Sequence, residues 1–97
     1  MERFSLDDRG YLQWVQANSH GFVLNAGSIT AHITRLHRAE CGTIKGTPPH
    51  ARGEHYPETP WTGRYWKVCS LDKDELLSWA RQNHKGKDPS LCRVCSP

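Results

Sequence analysis

The sequence predicts an α+β fold, a short antiparallel sheet of about three strands packed with two helices. Two segments carry apolar residues at helical spacing behind an acidic start, and three carry short runs of strand type. A chain of 97 residues with 24% charged and 36% hydrophobic side chains has room for one thin core, so residues 1–97 are read as one domain. A core that thin gains from a covalent or metal staple.

Taken in order, Asp7 or Ser5 can cap a first helix running to about Ala17, with Tyr11, Leu12, Trp14 and Val15 as its apolar positions. Gly10 counts against it by roughly 1 kcal/mol relative to alanine. Asn18-Ser19-His20-Gly21 ends the helix, and Phe22-Val23-Leu24 reads as a buried strand. A turn at Ala26-Gly27-Ser28 leads to a second strand from His32 to His37. Residues 45–63 hold four prolines and three glycines and read as a long irregular loop, which in a small domain is usually functional or disordered. Arg64 to Cys69 forms the third strand, with Tyr65 and Lys67 on one face and Trp66 and Val68 on the other. Asp72 caps a second helix with Glu75 as its capping-box partner, Leu76, Leu77, Trp79 and Ala80 as its buried stripe and Gly86 as its stop. Trp14 and Trp79 are expected to point inward.

No run of apolar residues exceeds Phe22-Val23-Leu24, against the roughly 20 that a helical membrane span requires. The N-terminus has no signal-peptide stretch, which predicts a cytoplasmic, reducing setting where metal binding is a better use of four cysteines than disulfides. His37-x₃-Cys41 and Cys92-x₂-Cys95 together make a Cys₃His set suited to tetrahedral zinc, closing a loop of more than fifty residues. Cys69 is the alternative to His37, giving a Cys₄ site, and two disulfides or a redox Cys-x-x-Cys pair are the non-metal readings.

Charge points to a partner. The net charge is +3 overall, and residues 34–67 alone carry an excess of +3. Arg35, Arg38, Lys45, Arg52, Arg64 and Lys67 are candidates for phosphate contacts, and Trp61, Tyr65 and Trp66 for stacking on a base or enclosing a methyl group. His50, Glu54 and His55 suggest an acid–base cluster, but no nucleophile, base and orienting group stand in order around them, and a zinc with four protein ligands has no open position for water. No enzymatic activity is expected.

Two resemblances add to this reading. His37-x₃-Cys41, the aromatic strand Tyr65-Trp66-Lys67, the acidic-start helix from Asp72 and Cys92-x₂-Cys95-Ser-Pro resemble the metal-binding DNA-repair domain of the Ada type over residues 36–97. That family uses four cysteines, and histidine at the first position here makes methyl acceptance by a thiolate impossible there. Tyr11-Leu12-x-Trp14, Gly21-Phe22-Val23-Leu24-Asn25, Leu36-His37-Arg38-Ala39-x-Cys41 and Trp61-Thr62-Gly63-x-Tyr65-x-Lys67-Val68-Cys69 look like N-terminal modules of actinobacterial restriction-type proteins. The resemblance implies a module that binds double-stranded DNA and senses its modification, methylation for example, ahead of a nuclease domain in a longer protein. A zinc-stabilised protein-interaction module without affinity for nucleic acid is the competing expectation.

Overall fold

The computed structural model describes residues 1–27, 34–46, 56–63, 65–83 and 88–97. Its elements are β1 (Glu2–Phe4), α1 (Asp8–Ala17), β2 (Phe22–Gly27), β3 (Thr34–Arg38), a 3-10 turn at Gly42–Ile44, β4 (Tyr65–Ser70), α2 (Lys73–Asn83) and β5 (Ser90–Leu91). The α+β class and both helices hold, but the sheet has five strands and is mixed, in the order β1-β4-β2-β3-β5. The expected antiparallel core of β2, β3 and β4 is present, with β1 added antiparallel to β4 and β5 parallel to β3.

α1 starts where expected. The Asp7 carboxylate accepts the Gly10 N–H at 2.9 Å, and a β-carbon at Gly10 would collide with that carboxylate, so the glycine leaves room for the cap. At α2 the Asp72 carboxylate accepts the Asp74 N–H at 3.0 Å. The capping box does not form, because Glu75 turns to the Ser70 hydroxyl and the Met1 ammonium instead. Its carboxyl is held below the usual range first by the hydrogen bond from that ammonium and then by Ser70. Gly86 and the His32 end of the second strand lie outside the described residues.

Each helix covers a different face of the sheet. Leu24, Leu36 and Val68 project to the face where Leu76 and Ala80 of α2 pack, with Phe22, Leu77 and Trp79 at the margin. On the opposite face Phe4, Val23 and Cys69 meet Tyr11 and Val15 of α1, and the same cluster continues through Trp61 and Ile44 to Cys41 and Cys92. Trp14 and Trp79 are half-buried against these clusters, consistent with inward packing. Among the described residues no helix is long and apolar enough to cross a membrane.

Candidate metal centre and the cleft beside it

The parallel pairing of β3 with β5 builds the site. Arg35 faces Ser90 and Leu36 faces Leu91, and the Cys92 N–H continues the ladder to the Leu36 carbonyl at 3.0 Å. Both strands run out at the same end, so His37 near the end of β3 and Cys41 just beyond it arrive together with Cys92 and Cys95, which follow β5. One donor atom from each of the four lies within 4.8 Å of all the others, and the Cys41 and Cys92 sulfurs are 3.9 Å apart. Metal–sulfur bonds of about 2.3 Å in a tetrahedron put sulfurs about 3.8 Å apart, so this set can hold a metal ion.

Neighbouring groups support the donors. The Arg38 N–H donates to Cys95 Sγ at 3.2 Å, and the Arg38 guanidinium bonds the Cys95 and Ser96 carbonyls at 3.0 Å each. The Thr43 hydroxyl lies 3.0 Å from Cys41 Sγ and 3.4 Å from His37 Nδ1, bridging two donors. The Tyr11 hydroxyl donates to the Ile44 carbonyl, fastening α1 to the turn that follows Cys41.

The thiols show what the cluster requires. Burial pushes Cys95 up to about 11 against the Arg38 N–H, and the adjoining Cys41 and Cys92 sulfurs act in the same direction. Burial raises Cys92 too, but N–H groups of Cys95 and Val94 and the Cys95 and Cys41 thiols bring it below its ordinary value. Three sulfurs this close share protons unless a cation balances their charge.

Cys69 is not part of the set. It lies on β4, two strands from His37 across Val23, and two strand spacings amount to roughly 9–10 Å. The alternative Cys₄ site is thereby corrected to His37, Cys41, Cys92 and Cys95, and all four cysteines are free of disulfides. Burial pushes the Cys69 thiol up to about 12, opposed by Lys67 and aided by Glu2. A raised thiol stabilises the fold below the unfolded value of 9.0 and loses that contribution as pH climbs from 9 toward 12. Cys69→Ala is expected to keep one metal per chain and to cost about 1 kcal/mol at neutral pH. Its melting temperature should fall less steeply than that of the parent between pH 9 and 12.

Of the candidates for nucleic-acid contact, two are corrected. Lys67 is fully buried, its ammonium held by Asn25 Oδ1 at 2.8 Å and the Trp61 carbonyl at 2.7 Å, because β4 is an interior strand whose faces are both covered. Trp61 is 3% exposed, since the Asp8 carboxylate takes the N–H groups of Trp61 and Thr62 and draws the ring into the core. Trp66 is half-buried with the Arg3 guanidinium 4.8 Å above its ring, and Lys45 is half-buried. Arg38 is exposed but tied to carbonyls of the metal turn. Arg52, Arg64, His50, Glu54 and His55 lie outside the described residues.

Arg35 and Tyr65 instead meet at a cleft of about 830 Å³. The metal-site residues His37 and Cys92 bound it, and Asn25, Ser90 and Arg93 complete its polar lining. Neither Asn25 nor Arg93 stands out in the sequence; the available signal for Arg93 is its place between Cys92 and Cys95, where the metal turn fixes the backbone. No protein-family model, curated protein or solved structure matches the chain.

Proposed function

We propose that the chain is a zinc-tied DNA-binding module, reading modified duplex DNA, methylated for example, on behalf of a restriction-type effector. The supporting observation is the cleft, where Arg35, Arg93 and Tyr65 are gathered against the metal-site residues His37 and Cys92. Two guanidinium groups beside an aromatic ring match a phosphate and a base, and the metal turn holds them in place without a large core. Imidazole with three thiolates is a donor set that zinc favours, and thiolate ligands suit a reducing, cytoplasmic setting. Four protein ligands leave no position for a reacting water, so the zinc is structural and the module binds without catalysing.

Leu91 and Val94 favour a second reading. They are 52% and 73% exposed and stand at the same cleft, where a protein partner would bury them. A salt titration separates the two readings. Duplex DNA should bind at low salt and weaken along a straight line in log–log form, and Arg35→Ala or Arg93→Ala should each flatten that slope by about 1. Arg38→Ala should instead lower the melting temperature and leave the slope unchanged, because its fork is spent on the Cys95 and Ser96 carbonyls. Absence of binding at low salt would leave the protein-interaction reading.

A further inference from the structure

We infer that the cleft takes a single nucleotide removed from its base stack, not the surface of an intact duplex; this rests on the DNA-binding reading and specifies how it is carried out. The shape is the first argument. A site of about 830 Å³ lies within the size range of pockets that enclose one small ligand, and it is concave, whereas groove reading requires an element that projects. Neither helix supplies such an element with the right charge. α1 opens with Asp8 beside Arg9 and has no basic residue in its last turn, while α2 opens Lys73-Asp74-Glu75 with Lys73 bonded to the Pro97 carbonyl and Arg81 paired with Asp88.

The lining provides the chemistry of one nucleotide. Arg35 and Arg93 can take its phosphate, while the Tyr65 ring offers a face for the base, with apolar cover from Ile44, Leu91 and Val94. Asn25 adds a directional contact. An ammonium can only donate, so the 2.8 Å contact with Lys67 fixes Oδ1 of Asn25 toward the protein interior. The amide nitrogen on the other side of the side chain makes no hydrogen bond among the described residues, at a residue that lines the cleft, and is placed to donate to a ring nitrogen or carbonyl of a base. Lys67 is thus a positioning residue that gives Asn25 its sense.

Extruding a base costs unpairing and unstacking energy, and least at a mismatch. A module working this way should therefore bind a duplex with one central mismatch roughly tenfold or more tighter than the fully paired duplex. The test uses the full chain loaded with zinc at low salt, with 2-aminopurine at the central position of paired, mismatched and single-stranded oligonucleotides. The expected result is tighter binding of the mismatched and single-stranded forms and a rise in fluorescence as the base leaves the stack. Tyr65→Ala should erase the preference. Asn25→Asp guards against a folding artefact, because a carboxylate still faces Lys67 while the donor is gone. Its charge weakens all three ligands together, so the ratio between them is the readout, and that ratio should fall toward one with metal content unchanged. Equal affinity for all three forms with no change in fluorescence would overturn the inference and leave a general duplex binder. Failure of every oligonucleotide to bind would overturn the DNA-binding reading itself.

Discussion

If the four-residue set holds zinc as proposed, removing the metal is expected to unfold this protein. Binding to a structural zinc site is worth roughly 10–16 kcal/mol at neutral pH, and the whole stability of a typical domain is about 5–15 kcal/mol. The four side chains join the end of β3 to β5, a two-residue strand at the sheet edge whose Ser90 and Leu91 are both exposed and which buries no apolar side chain of its own. A strong chelator should release one zinc per chain and abolish the cooperative thermal transition, and Cys92→Ser should do the same without chelator. His37→Ala should be milder in metal affinity only if Thr43 or water fills the vacated position. The measurements are elemental analysis, a colorimetric zinc-release titration and far-ultraviolet circular dichroism. Affinity should also fall with acidity, because imidazole and thiols must lose their protons to bind. A melting curve indifferent to the chelator would refute the metal as the staple of the fold.

The parts of this architecture that were legible in the sequence are those written in local pattern. The spacing of His37, Cys41, Cys92 and Cys95 singled out four side chains that the fold brings within 4.8 Å of one another, because short turns constrain where neighbouring side chains can go. Acidic caps located both helices, and the alternation along Tyr65 to Ser70 separated the two faces of β4. The edge strands were not legible, since three residues of β1 and two of β5 are too short to show a period of two. Alternation also could not say which face of β4 meets solvent. Its charge makes Lys67 a candidate for phosphate contact, yet β4 lies between β1 and β2 with a helical layer on each side. The same gap misplaced Trp61, whose burial depends on Asp8, a residue 53 positions away that in sequence looks only like a favourable charge at a helix start.

Asp8 and Lys67 act on one peptide group. The Asp8 carboxylate accepts from the Trp61 N–H at 2.9 Å and from the Thr62 N–H and hydroxyl at 2.8 and 2.7 Å, and the Lys67 ammonium donates to the Trp61 carbonyl. The Thr62 hydroxyl in turn accepts the Asp7 N–H, so the start of α1 and the Trp61 turn share one polar network inside an otherwise apolar layer. The ammonium also lies 5.9 Å from the centre of the Tyr11 ring, whose hydroxyl holds the metal-site turn. Buried networks of this kind are strong only when complete, because any member left without its partner keeps its desolvation cost.

Lys67→Met is therefore expected to destabilise the fold by about 3–5 kcal/mol even though methionine fills much of the same volume. The Trp61 carbonyl would lose a charged donor in a buried setting, and the half-buried Asn25 Oδ1 would lose the same donor. Asp8→Asn should cost less, about 1–3 kcal/mol, because an amide oxygen can still accept one of the three hydrogen bonds. The double variant should cost less than the sum of the two, since each substitution disrupts the same peptide group. Urea titrations of the zinc-loaded chain measure all three, and near-ultraviolet circular dichroism from Trp61 reports whether the ring leaves the core. Zinc content should stay at one per chain in Lys67→Met, because the ammonium bonds Asn25 Oδ1 and the Trp61 carbonyl, which belong to neither ligand pair. If Lys67→Met melted like the parent, the buried ammonium would be a tolerated accident of packing, and the Trp61 turn would have to be held by its apolar contacts alone.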